Sequence, residues 1–175
     1  MMTAASLCNR FRRVLSPRTA VLLALAATVG CGQSVPGYRN DLTKMQTDRV
    51  TIKGQPFDVW LALTPYEEER GLMQVTDAEM APVSGVRKGM LFVFEEEDYL
   101  SFWMYNTITA LDIAFINADG RIVKTHTMAP LETRTYPSVE PAMYALEVLA
   151  GTFAELGISE GDQVEIPDSV LKDIP

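Results

Sequence analysis

Thiols are nearly absent from this chain. Of 175 residues only Cys8 and Cys31 are cysteine, and everything after residue 31 is thiol-free. That stretch therefore holds no disulfide, no cysteine-ligated zinc and no cysteine nucleophile. Histidine is scarcer still, with His126 standing alone. A zinc site built on imidazoles needs more ligands of that kind than one, so neither a metal nor a cofactor is expected. A Ser-His-Asp arrangement would have to join His126 to Ser101 or Ser138, and neither serine has a strained nucleophile elbow around it. His126 reads instead as a polar-face residue of a strand. Long apolar runs are missing too: "AVLLALAATVG" falls well short of the roughly 20 residues that span a bilayer as a helix. Positive charge is in deficit, with 15 Lys and Arg against 23 Asp and Glu and a net charge of −8. Nucleic acid, whose binding rests on cationic neutralisation of phosphates, is excluded as a partner.

What is present begins at the N-terminus. Arg10, Arg12, Arg13 and Arg18 precede the short apolar run, which ends in small residues before Cys31. That is the anatomy of a secretory signal over residues 1–30. "TVGC" resembles the lipobox of bacterial lipoproteins, and by that resemblance Cys31 would receive diacylglycerol and become the mature N-terminus. Two or three acyl chains give stable anchoring where a single chain does not. Gly32 is not the Asp that retains such proteins at an inner membrane. The expected location is thus extracytoplasmic and lipid-anchored, on the periplasmic face of an outer membrane where the organism has one. Removing residues 1–30 takes away four basic residues and no acid, which carries the net charge from −8 to −12.

Residues 31–48 are polar, with Pro and Gly and no sustained period, and read as a flexible tether. A single domain is expected over residues 49–175, since no internal repeat or low-complexity block follows. "RVTIKGQPFDVWLAL" alternates as two strands around a Lys53–Pro56 turn. In "LTPYEEERGLM", Thr64 can cap a helix, Pro65 suits its first position, and Glu67 completes a capping box. Gly71 limits that helix to about two turns. "VTDAEMAPVSGVRK" is a loop with one helical turn at most, and "GMLFVF" a strand buried on both faces. "EEEDYL" is expected to cross the surface. "LDIAFI" and "RIVKTHTM" flank "NADG" as a hairpin. "MYALEVLA" is a further strand. "GTFAELGI" is a short helix capped by Thr152 and closed by Gly157, and "SEGDQVEI" leads into a last strand. The expected fold is α+β and β-rich: a curved mixed sheet or partly closed barrel with two short helices.

Several of these segments, in this order, resemble the bacterial and archaeal family known as domain of unknown function 192. The likeness lies in "TPYEEERGLM", "GMLFVF", "SFWMYNT", "LDIAFINADGRIV" and "ALEVLAGTFAELGISEGDQV", spanning nearly all of residues 50–166. It implies a small, secreted or envelope-anchored β-rich domain, with no reaction, ligand or catalytic residue to carry over. Three positions depart from the family pattern. Tyr105 stands where a lysine is usual, Ala110 replaces a proline, and Trp60 occupies a position where many members have an acid.

In "SFWMYNT" alternation sends Phe102 and Met104 to one side and Trp103 and Tyr105 to the other, beside Asn106. An aromatic platform flanked by amide and hydroxyl groups suits sugar rings and other polar ligands. Asn106 also has the chemistry of a turn residue that shapes a strand end. Asp112 and Glu147 are lone acids in apolar segments, and a buried carboxylate must be paired, hydrogen-bonded or protonated. Arg70 is an available partner. Alternation places Asp112 on the face opposite Leu111, Ile113 and Phe115. The candidate pocket is therefore Arg70, Trp103, Tyr105, Asn106 and Asp112, with no catalytic set assigned. Three functions follow as expectations. The first is a non-enzymatic, lipid-anchored domain that binds a small polar ligand, envelope glycan or partner protein. The second is a hydrolase acting on envelope polymer through acids such as Asp112 and Glu147. The third is a structural or assembly module.

Overall fold

The computed structural model describes residues 38–172, the side chains of Leu171 and Lys172 excepted. The expected signal segment, Cys31 and the tether as far as residue 37 lie outside the described residues. No helix among the described residues is long and apolar enough to cross a membrane.

The chain forms β1 (Thr47–Ile52), β2 (Gln55–Ala62), α1 (Pro65–Arg70), α2 (Asp77–Met80), β3 (Arg87–Asp98), β4 (Ser101–Trp103) and β5 (Leu111–Ile116). It continues through β6 (Ile122–Met128), β7 (Thr135–Pro137), β8 (Ala142–Leu149), α3 (Thr152–Leu156), β9 (Val164–Glu165) and α4 (Asp168–Lys172). Seven strands make one mixed sheet in the order β6-β5-β8-β3-β2-β1-β9. β2 and β3 pair in parallel across the α1–α2 connection, and the other neighbours run antiparallel. The two ends of that order meet at one corner. Ile122 N–H donates to the Asp162 carbonyl at 2.9 Å, and Val164 N–H to the Gly120 carbonyl at 2.8 Å. The sheet is thus curled into a half-barrel, and the domain is α+β and β-rich.

Both faces of the sheet are covered because its central strands are apolar on both. In β3, Leu91 and Val93 join a core with Phe57, Leu61, Ile116, Leu146 and Phe153. Met90 and Phe92 face the other way, onto a second core with Leu72, Met104, Ile113, Phe115 and Met128. A two-stranded ribbon of β4 and β7 stands apart from the main sheet, and Phe102 of β4 packs edge-on against Phe92 and Phe115 of the second core.

Local sequence explains the first helix fully. Thr64 accepts from Glu67 N–H while the Glu67 side chain caps back onto Thr64, with Pro65 opening the helix. α2 repeats the device with Thr76 and Glu79. Other elements differ from expectation. The first hairpin turns on Lys53 and Gly54 alone, both with positive φ (53° and 73°), as a two-residue loop between right-twisted strands requires. "EEED" extends β3, with an irregularity in its pairing between Val93 and Asp98, and does not leave the sheet. Four short helices are described where two were expected. The N-cap of α3 is Gly151, without a side-chain cap, in place of the expected Thr152. Residues 39–46, read as tether, pack on the domain: Asn40 is buried and donates to the Glu67 and Gly71 carbonyls at 2.9 and 3.1 Å.

Candidate functional site

Alternation through β4 and the residues after it creates the rim of a cleft. Met104 is fully buried, whereas Trp103 and Tyr105 are 50% and 44% exposed. Their rings stack with centroids 5.1 Å apart and 26° between planes. Opposite them, α1 ends in Arg70, whose guanidinium lies 3.5 Å from the centroid of the Tyr66 ring and donates to the Tyr66 carbonyl at 3.2 Å. Glu69 sits 3.8 Å from the same guanidinium. Tyr38, Glu69, Arg70, Met73, Trp103 and Tyr105 enclose a cleft of about 330 Å³.

A narrow throat of about 30 Å³ adjoins the cleft and shares Glu69, Arg70, Met73 and Trp103 with it. Its lining adds Gly71, Phe92, Phe102, Thr107 and, from β8, Glu147. Gly71 has φ 44° and ψ −130°, a conformation that a side chain disfavours. A Cβ there would stand 3.0 Å from Phe92 Cζ. The bare glycine keeps the throat open where α1 stops.

Glu147 is only 4% exposed. Its cross-strand neighbours are Met90 on β3 and Ile113 on β5, both apolar. Burial pushes its carboxyl up to about 8, because a charge in such surroundings loses its hydration. Glu68, also on the throat, is raised in the same direction by burial and then by the charges of Glu67 and Glu95.

Of the residues singled out from sequence, Arg70, Trp103 and Tyr105 converge on this cleft. Asn106 does not line it. Its φ of 56° marks a turn residue, and its carbonyl accepts from Gln74 N–H and Gln74 Nε2 at 3.0 and 2.9 Å. Asp112 is brought to the opposite face of the sheet. It is 2% exposed and accepts from Thr127 Oγ1 at 2.7 Å and from Phe153 N–H at 3.0 Å, so its task is to hold β6 and the start of α3. The two acids named for a hydrolase therefore point away from each other, with the sheet between them. His126 meets the Pro137 carbonyl at 2.9 Å through Nε2, while the Ser138 hydroxyl donates to the Glu140 carbonyl at 2.6 Å; no Ser–His pair forms. Among the described residues no group of three or more His, Cys, Asp or Glu could hold a metal ion.

Sequence reasoning left Gly71, Tyr38 and Glu147 out of the pocket. Glu147 carried a usable signal, being a lone acid with apolar residues at every other position of its strand. The throat itself had none, because it arises where α1, β4 and β8 meet.

A model of the domain of unknown function 192 family, described as "Uncharacterized ACR", matches residues 48–166. No curated protein matches the chain. Among solved structures, a protein of unknown function from Novosphingobium aromaticivorans DSM 12444 is 32% identical, with a TM-score of 0.65 and coverage of 73% of this chain and 91% of that one. A structure from Sinorhizobium meliloti 1021, named a "putative transcription regulator", is 37% identical, with a TM-score of 0.63 and coverage of 69% of this chain and 94% of its own.

Proposed function

The chain belongs to the domain of unknown function 192 family, and from that premise we propose that it is a non-enzymatic, envelope-anchored domain whose cleft binds a small polar ligand with a ring-shaped body. The observation that carries this reading is the stacked, half-exposed Trp103–Tyr105 pair on the rim of the 330 Å³ cleft. Large aromatic surfaces held half in water match the flat apolar face of a sugar or similar ring, while polar groups around them select its edge. Acid–base cleavage gains no support from the site, since Asp112 and Glu147 serve opposite faces. The transcription-regulator name of the Sinorhizobium relative is not carried over, because a net charge of −8 disfavours binding to phosphates. The anchor is proposed on "TVGC" and Cys31, with envelope glycan as the ligand within reach.

Trp103 reports on its own cleft, as the only other tryptophan, Trp60, is on β2. Titrating the domain with soluble peptidoglycan disaccharide-peptides should change tryptophan fluorescence saturably. Trp103→Ala should weaken binding, measured by calorimetry, about tenfold, the scale of an aromatic stacking contribution of about 0.5–1.5 kcal/mol with its buried area added. Equal affinity in the variant, or no binding by any fragment, would end the proposal.

A further inference from the structure

Glu147 has no task in that account. Buried acids in this fold are otherwise satisfied: Asp112 accepts two hydrogen bonds. Glu147, only 4% exposed, accepts no hydrogen bond from a described residue, and since no fully enclosed side-chain oxygen among the described residues lacks a partner, its carboxyl opens onto the throat. Leaving a buried carboxyl without a donor is costly unless something outside the chain supplies one. The group faces the throat, and Glu147 Oε2 lies 3.9 Å from where a Gly71 Cβ would stand.

Size narrows what can enter. A volume of about 30 Å³ is room for one or two water-sized groups, so the throat admits a small head group and not a ring. Charge narrows it further. α1 presents Glu68, Glu69 and Arg70 to the throat. β3 and β5 present Met90, Phe92 and Ile113 around Glu147. β4 contributes Phe102 and Trp103, and the turn after it Thr107. The Arg70 guanidinium is engaged by Tyr66 and Glu69. Three acids against one engaged cation make the lining acid-rich, with the charge of Glu147 and Glu68 held back by burial until a cation arrives to stabilise it.

We propose that the throat over Glu147 receives the primary ammonium group of the cleft's ligand, whose ring or chain then lies against Trp103 and Tyr105. The inference rests on the ligand-binding reading of the cleft and names the ligand's chemical class. Charge-assisted hydrogen bonds to a desolvated carboxylate are the strong ones, and an ammonium supplies the donors that Glu147 lacks. Binding needs Glu147 ionised, so affinity for a charged amine rises with pH until the carboxyl has titrated, which burial delays to about 8.

Two ligand pairs test this by calorimetry on the intact domain, each comparing a primary amine with its acetylated form. One pair is a glucosamine trisaccharide and its N-acetylated counterpart; the other is a lysine amide blocked by acetylation at its α-nitrogen, with the side-chain nitrogen free or acetylated. In at least one pair the free amine should bind tenfold or more tightly, and the pair that responds identifies an amino sugar or a diamino acid as the source. Glu147→Gln should abolish that preference, and with it the rise in lysine-amide affinity between pH 6 and 8.5. Equal binding of free and acetylated forms, or a preference that survives in Glu147→Gln, overturns the ammonium assignment. If those ligands still lose affinity in Trp103→Ala, the cleft stands without it. No binding by either pair or by peptidoglycan fragments removes both.

Discussion

Glu147 and Asp112 show how differently one residue type behaves on adjacent strands. Their positions on β8 and β5 are one residue out of register, since Glu147 pairs with Ile113 and Asp112 with Val148. That offset sends them to opposite faces. Asp112 meets donors, whereas Glu147 meets apolar side chains and a throat. The consequence for Glu147 is a dependence of stability on pH with an unusual sign. In the unfolded chain its carboxyl titrates near 4.5, and in the fold near 8. Between those values the folded state keeps a proton that the unfolded state releases, so the contribution is complete below pH 4.5 and is lost as pH rises to about 8. The gap amounts to about 5 kcal/mol at most. Glu147→Gln stays neutral throughout. Its Tm should gain on the wild type progressively from pH 5 to 8.5 in a thermal-melt series, and a difference that stays flat across that range would contradict the burial of the acid. Both acids stood out in the sequence as intrusions into apolar strands. Which one is satisfied was not legible, because the donors Thr127 and Phe153 lie 15 and 41 residues from Asp112.

Among the elements, α1 and α3 divide along the same line. The cap of α1 is local, Thr64 to Glu67, and could be read directly. α3 begins at Gly151 and takes its side-chain acceptor from another strand, Asp112, which bonds Phe153 N–H. An expectation confined to neighbouring residues therefore put the cap at Thr152. β4 has the same history. Alternation fixed which of its side chains turn inward, but not that it pairs with β7 outside the main sheet, since period-2 patterning specifies faces and not partners. The half-barrel itself was legible, because short apolar strands, tight turns and brief capped helices leave little else to build. Asp112→Ala tests the remote cap. It strands a buried N–H at the head of α3, so unfolding in denaturant should show a loss of about 1–3 kcal/mol. Ligand affinity at the Trp103 cleft should be unchanged, because Asp112 works on the far face. A variant of wild-type stability would show that α3 does not depend on this bond, and lost binding would return Asp112 to the site.

At the scale of the whole molecule the proposed attachment to a membrane needs a means of holding. The mature chain would carry a net charge of −12 on removal of residues 1–30, which repels anionic lipid, and no described helix is long and apolar enough to cross a bilayer. Attachment would fall to Cys31, with seven residue-to-residue steps from it to Tyr38 on the cleft. Fully extended, they reach at most about 25 Å. An anchored protein would thus keep its binding cleft close to the membrane surface. Because such an attachment is hydrophobic and covalent, it differs from electrostatic docking in its response to salt. In cell fractionation the wild type should stay with membranes through a high-salt wash and be released only by detergent. Cys31→Ser should move to the soluble extracytoplasmic fraction with its thermal melt unchanged, since the fold after residue 31 uses no thiol. Release of the wild type by salt, or equal membrane retention of Cys31→Ser, would place the attachment in the domain's surface and not in its lipid.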